Sequence, residues 1–138
     1  NGVLARYPEG FKKPTTILRN YWSAGAKVYP EAWNLPPRKS RLTHGAGIVS
    51  MGYLMDTIAF RLSSEWESVP PNVFEKEIRT FGEALAWTDG NWQFSREIQM
   101  PWNEIQNTNR HIDLLTNYLV RVYRASLSKE SKVAVRSL

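Results

Sequence analysis

The 138-residue chain has the length of one domain, and its hydrophobic fraction of 42% is enough to form a buried core. Because it contains no cysteine, disulfide bonds, thiolate nucleophiles and cysteine-bound zinc are excluded. The net charge of +5 is uneven, since residues 1–41 and 121–138 are basic and residues 42–120 are acidic. Basic ends can bind nucleic acid, or they can simply keep the protein in solution, and both interpretations remain open.

No segment of the sequence has the pattern of a leader peptide or a membrane anchor. The first ten residues, NGVLARYPEG, lack the apolar core of a signal peptide, and no stretch approaches the about 20 apolar residues that a membrane-spanning helix needs. We therefore expect a cytoplasmic protein that contacts no membrane. We expect residues 1–138 to form one helical domain and, since the chain does not begin with Met, to be a fragment of a longer protein, which the resemblance described below implies is its C-terminal part.

Hydrophobic spacing predicts a mainly α fold of about four helices joined by long connectors. The first helix is expected to begin at Pro14 and to stop at Gly25, because Pro favours helix starts and Gly favours helix ends. A proline-rich connector with a turn at residues 30–33 follows. The second and most apolar helix is expected over residues 43–64, where apolar residues recur every three or four positions.

Two further helices are predicted in the second half of the chain, with a small β element between them. Asn72 and Glu75 form a capping-box-like start for a helix whose apolar face continues to residue 85. The segment WTDGNWQF, residues 87–94, places Asp-Gly between aromatic residues, which is typical of a β-hairpin. The last helix is expected over residues 108–126.

Residues 38–52, RKSRLTHGAGIVSMG, are the first candidate binding site. Basic residues precede a glycine-rich helix start, where unpaired backbone N–H groups and the helix dipole attract anions. Alternatively, the glycines allow another helix to pack closely, since neither the preceding strand nor the following Lys-Ser/Thr pair of known nucleotide-binding loops is present. The candidate phosphate-binding residues are Arg38, Lys39, Arg41, His44, Gly45 and Gly47.

Residues 100–115, MPWNEIQNTNRHIDLL, are the second candidate site. Four side-chain amides fall within seven residues and are followed by an arginine, and such groups can read base edges or hold a ligand. They can equally cap the next helix and hydrogen-bond the backbone of a tight turn. The candidate contacts to nucleic acid or another ligand are Trp102, Asn103, Gln106, Asn107 and Arg110, with Arg121 and Arg124 further along the chain.

The sequence offers little for catalysis or for a metal. His44 can act as a base only beside an orienting carboxylate, and otherwise it caps a helix or hydrogen-bonds within the core. His111 and Asp113 are two residues apart in a predicted helix, so they point to different faces and chelate poorly. We therefore predict no catalytic residue, no metal and no cofactor, and we rank an enzyme that uses His44 at a glycine-lined anion site as the least favoured alternative.

The chain is rich in tryptophan, and several of its six tryptophans fall in predicted connectors. Indole rings can stack on nucleobases. More often, such residues fill the gaps between a helical core and long loops. We favour core packing and keep base stacking as the alternative. The six residues are Trp22, Trp33, Trp66, Trp87, Trp92 and Trp102.

Two blocks, LTHGAGIVSMGYLMDTI (42–58) and WNEIQNTNRHIDLLTNYLVRVYR (102–124), resemble the C-terminal part of bacterial DGQHR-domain proteins, which are related to regulators of DNA sulfur modification. The Asp-Gly-Gln-His-Arg motif that defines the family is absent from this chain. The resemblance implies a bacterial module linked to DNA modification, restriction or mobile elements, whose partners are DNA and the N-terminal portion of its own parent protein. The alternative is a structural protein–protein module that packs on that N-terminal portion.

Overall fold

The predicted mainly α fold with a small β element is confirmed. The computed structural model describes residues 13–62, 69–81 and 85–137, and their side chains over residues 16–62, 69–81 and 85–129. None of the helices in these ranges combines the length and the apolar character that crossing a membrane requires. The elements are α1 Lys13–Val28, α2 Pro30–Trp33, α3 Gly45–Leu62, α4 Pro71–Arg79, β1 Asn91–Gln93, β2 Gln99–Pro101, a 3-10 turn Trp102–Glu104 and α5 Asn109–Ser137.

Helices α3 and α5 pack together at the centre of the fold and run parallel. Near their N-terminal ends, Ser50 Oγ donates to the Ile112 carbonyl at 3.4 Å. Near the C-terminal end of α3, Arg61 Nε donates to Tyr123 Oη at 2.7 Å. The two residues of each pair are 62 positions apart, so the two helices advance in the same direction from adjacent N-terminal ends.

Helices α1 and α4 pack against each other and complete the core with α3. Asn20 Nδ2 donates to the carbonyl of Val69, just before α4, at 2.8 Å. The buried Tyr21 ring meets Phe74 edge-on at 5.2 Å between centroids, and its hydroxyl donates to the Met51 carbonyl of α3 at 2.7 Å. Burial raises the pKa of Tyr21, so the hydroxyl keeps the proton that it donates. Tyr21 therefore joins α1 to both of its neighbours.

A buried carboxylate joins α3, α4 and α5 at the other end of the bundle. Glu77, which is only 6% exposed, accepts a hydrogen bond from Tyr123 Oη at 2.5 Å and a second from Arg61 Nη2 on the same oxygen. Burial, reinforced by the hydrogen bond to Glu77, raises the pKa of Tyr123 to about 12. The phenol therefore stays protonated at neutral pH and remains a donor.

We expect Glu77→Gln to lower the free energy of unfolding by about 2 kcal/mol, because the amide leaves the Arg61 charge unbalanced beside a buried phenol. Glu75→Gln is the matched control on the same helix, since the Glu75 carboxylate pairs with Arg79 at 3.1 Å on the surface. Loss of such an exposed pair costs about 0.5 kcal/mol or less. Urea denaturation followed by tryptophan fluorescence measures both values, and equal small losses would contradict a buried role for Glu77.

Two predicted helix boundaries are wrong for local reasons. Helix α1 continues through Gly25 to Val28. Gly25 does not have the positive φ with which glycine commonly ends a helix, and among the described residues only Gly90 has a positive φ. Pro30, which starts α2, follows two positions after Val28, with only Tyr29 between the two helices. Helix α4 begins at Pro71 with Pro70 as its N-cap, so Asn72 lies inside the helix and does not cap it.

The β element also lies later in the chain than the Asp-Gly pair indicates. Gly90 has a φ of +83°, but the turn it forms precedes β1 and does not join the two strands. Trp92 pairs with Met100 across the sheet, and the hairpin turn lies at residues 94–98, where the Phe94 N–H donates to the Ile98 carbonyl at 2.9 Å. The last helix also exceeds its predicted end and reaches Ser137.

Two of the tryptophans pack in the core as predicted. Trp87 and Trp92 are buried and meet edge-on, with ring centroids 5.1 Å apart. Tyr118 of α5 meets Trp92 at 5.6 Å, so the hairpin is fastened to the central helices through aromatic contacts. Trp66 lies outside the described residues, as do residues 63 and 64 at the predicted end of α3.

Candidate functional site

The two candidate sites of the sequence meet at one end of the bundle. Because α3 and α5 are parallel, their first residues, Gly45 and Asn109, lie at the same end. The contact is close, since a Cβ added to Gly45 would lie 2.9 Å from the side-chain nitrogen of Asn107. We call this region, residues 36–47 together with residues 102–111, the helix-end junction.

Arg41 ties the two loops of the helix-end junction together. Its Nε donates to the Ile105 carbonyl at 2.9 Å, Nη2 donates to the Asn103 carbonyl at 2.6 Å, and Nη1 donates to the Pro37 carbonyl at 2.9 Å. The guanidinium carbon lies 5.5 Å from the centre of the Trp102 ring. Arg41 is only 7% exposed, and burial lowers its pKa, yet arginine retains its charge. Arg41 therefore gives the junction a positive charge and also holds its two loops together.

The glycines at the start of α3 are required by contacts within the chain itself. A Cβ on Gly47 would lie 1.7 Å from the Arg41 carbonyl oxygen, and the Asn107 amide occupies the corresponding space at Gly45. These contacts favour the packing interpretation of the glycines, although a loop and an amide fill the space that a second helix was expected to fill. A role of Gly45 and Gly47 in anion binding stays a prediction.

Both histidines of the junction accept hydrogen bonds from the backbone. His44 Nδ1 accepts from the Ala46 N–H at 3.2 Å, and His111 Nδ1 accepts from the Gln106 N–H at 2.8 Å. Burial, together with the nearby Arg41 charge, lowers the pKa of His44, so the ring is neutral at pH 7 and Nδ1 can accept. His44 thus caps α3, in line with the non-catalytic role considered from the sequence. Nowhere in the described ranges do three His, Asp or Glu side chains approach closely enough to hold a metal ion.

Polar and basic side chains surround the two helix ends. Thr108 caps α5, since its Oγ1 accepts from the His111 N–H at 3.2 Å. Trp102 is half-buried, and the Arg41 guanidinium lies over its ring. Exposed side chains of the junction that the sequence indicated as ligand contacts are Arg38, Lys39, Asn103, Gln106, Asn107 and Arg110.

Two of the predicted contact residues lie away from the junction. Arg121 is twelve residues beyond the start of α5, which corresponds to about 18 Å along the helix axis. Its guanidinium carbon lies 5.3 Å from the centre of the Tyr118 ring. Arg124 lines a groove of about 700 Å³ between α3 and α5. The structure therefore does not bring Arg121 and Arg124 together with the other candidates.

An apolar cleft beside the junction was not located by the sequence analysis. Its volume is about 570 Å³, and Trp22, Trp33, Thr43 and Ile48 line it. The two indole rings lie 5.4 Å apart with a 32° tilt. Periodicity predicted Ile48 on the buried face of α3, but it is 46% exposed. The sequence placed Trp22 in the first predicted helix and Trp33 in the connector after it, and no local pattern indicated that the two rings meet.

Comparison of the chain with models of known protein families finds no match, and comparisons with curated proteins and with solved structures find none either. The functional proposal therefore depends on the geometry and charge of the helix-end junction.

Proposed function

We propose that this chain is a non-catalytic helical module that binds a polyanion, with DNA as the favoured partner, at the helix-end junction. The parallel packing of α3 and α5 is the observation that supports this function. A helix N-terminus carries the equivalent of about half a positive charge, and this charge remains after His44 and Thr108 have each capped one N–H group. Two such ends lie together here, so their fields add at one surface.

The ionic side chains of the junction have the same sign as the helix ends. Among its residues, 36–47 and 102–111, four cations stand against one carboxylate, that of Glu104. Arg38, Lys39 and Arg110 are exposed and free to contact phosphates, whereas Arg41 adds charge from within. A surface with this excess of positive charge attracts a phosphate backbone through the release of its counterions.

The resemblance to DGQHR-domain proteins supports DNA as the polyanion. The two blocks that carry it, residues 42–58 and 102–124, contain the starts of α3 and α5. The two blocks therefore include most of the junction, residues 42–47 and 102–111, and continue beyond it along both helices. In this proposal the module belongs to a bacterial, cytoplasmic protein that acts in DNA modification, restriction or mobile-element biology, and it supports its parent protein in binding DNA.

The test is fluorescence anisotropy of labelled DNA, duplex and single strand, across a salt series. We expect the affinity for DNA to fall steeply as the salt concentration rises. In the triple variant Arg38→Ala, Lys39→Ala, Arg110→Ala, the slope of log affinity against log salt concentration should decrease by about one for each phosphate contact removed. Arg121→Ala with Arg124→Ala is the control, because these residues lie along α5 away from the junction. Absence of binding at low salt, or equal losses in both variants, would refute a site at the helix ends.

A second candidate function is a protein–protein module, and the exposed apolar side chains of α3 favour it. Tyr53 and Phe60, which line the groove between α3 and α5, are 44% and 52% exposed, and Val49 of the same helix is 40% exposed. Exposed apolar surface of this kind marks interaction sites in soluble proteins. In this alternative the groove receives the N-terminal portion of the parent protein. Sedimentation of the chain with and without that portion distinguishes the alternative from DNA binding.

A further inference from the structure

The cleft lined by Trp22, Trp33, Thr43 and Ile48, which we call the tryptophan cleft, shares Thr43 with the helix-end junction and adds an aromatic surface to it. Its volume of about 570 Å³ falls within the range of about 300–1,000 Å³ that is usual for small-ligand sites. Trp22 and Trp33 are both half-buried, so each is fixed by packing and still presents part of its ring. Neither indole ring is completely buried in the core.

Two residues that line the tryptophan cleft, Trp33 and Thr43, flank the loop of residues 34–42, which we call the basic loop. Trp33 ends α2 and Thr43 precedes α3, and the exposed Arg38 and Lys39 lie in the loop between them. The Thr43 hydroxyl donates to the Leu35 carbonyl at 2.9 Å, which holds the two ends of this loop together. Ile48 belongs to the first turn of α3, so one wall of the cleft is built by the helix end that forms the junction.

We infer that the tryptophan cleft receives an unpaired nucleobase of a single-stranded nucleic acid whose phosphates lie on Arg38, Lys39 and the helix-end junction. This inference rests on the proposed function and narrows it from polyanions in general to single strands. An apolar aromatic cleft beside a cationic loop matches a nucleotide, which is itself a flat aromatic ring joined to an anionic phosphate. A duplex keeps its bases stacked and paired, so it cannot fill the cleft without opening.

The experiment compares two labelled DNA strands of equal length and charge, a twelve-residue oligothymidylate and the same strand with abasic sites throughout, by anisotropy with the full chain. We expect the oligothymidylate to bind about tenfold more tightly, since base stacking on an aromatic side chain contributes on this scale. Trp33→Leu should remove the difference and leave the affinity for the abasic strand unchanged. Trp33→Phe, which keeps an aromatic ring, should retain most of the difference.

A second measurement covers the case in which Trp33→Leu fails to fold. In a Trp102→Phe variant, which removes the one tryptophan of the junction, the oligothymidylate should still quench tryptophan fluorescence, and the abasic strand should not. The matching oligouridylate distinguishes RNA from DNA as the source of the base, and quenching by either strand in the Trp102→Phe variant supports the cleft.

The failures of the two proposals are distinguishable. If neither strand binds, the polyanion function itself is wrong and the inference falls with it. If both strands bind equally and neither quenches fluorescence, the polyanion function stands and the tryptophan cleft is not a base site.

Discussion

Gly47→Ala is expected to abolish the native fold, with a loss in the free energy of unfolding of about 4 kcal/mol or more. The added Cβ would lie 1.7 Å from the carbonyl oxygen of Arg41 and 2.8 Å from its carbonyl carbon. Both atoms belong to the backbone, and the same residue is fixed by hydrogen bonds from its N–H and its guanidinium. The loop before α3 must therefore leave its place before an alanine can be accommodated.

Gly52→Ala is the matched control in the same helix. Nothing lies within 4 Å of a Cβ at Gly52, so alanine should stabilise α3 by up to about 1 kcal/mol through its better helix propensity. Thermal unfolding followed by circular dichroism compares the two variants. If both melted like the wild type, the loop would not pack on Gly47 as described.

Arg41→Ala is expected to lower the free energy of unfolding by about 3 kcal/mol or more, the second largest effect. The substitution leaves the carbonyls of Pro37, Asn103 and Ile105 without the charged donor that now serves all three. Arg38→Ala, in the same loop, should change stability by no more than about 0.5 kcal/mol because its side chain is exposed. Urea denaturation of the two variants provides the comparison.

This pair of variants also separates structure from binding at the basic loop. A stable Arg41→Ala variant that had lost DNA binding would mean that Arg41 is a phosphate ligand and not a tie. An unstable variant would mean that its binding defect says nothing about phosphate contacts. Arg38, Lys39 and Arg110 are for this reason the residues to substitute in binding experiments.

Local patterns in the sequence predicted the helices better than the places where they end. The three-to-four spacing of apolar residues located α3 correctly, because residues on the buried face of a helix recur at that spacing. Gly25 and Asn72 were misassigned as an end and a cap, since nearby prolines at positions 30, 70 and 71 set those boundaries instead. A residue's preference for a cap decides a boundary only where nothing stronger competes.

The junction could be predicted as two segments but not as one site. Residues 38–47 and 102–110 stood out by charge, glycine and amide content, all of which are visible locally. The two segments meet because α3 and α5 pack in parallel, with contacting residues 62 positions apart in the sequence. No local sequence pattern specifies the direction in which two such distant helices pack. The role of Arg41 was hidden for the same reason, because its carbonyl partners at Asn103 and Ile105 come from the far segment.

The parallel arrangement of α3 and α5 has a consequence for how the chain is made. Contacts between residues 62 positions apart have to wait until the second partner has been synthesised, and proteins dominated by such contacts fold more slowly than bundles of neighbouring helices. When α3 has left the ribosome, the hairpin and α5 that complete its surroundings are still to come. The largely apolar helix α3 therefore spends the rest of translation without its final partner, and its exposed apolar surface makes the nascent chain prone to aggregate during this interval.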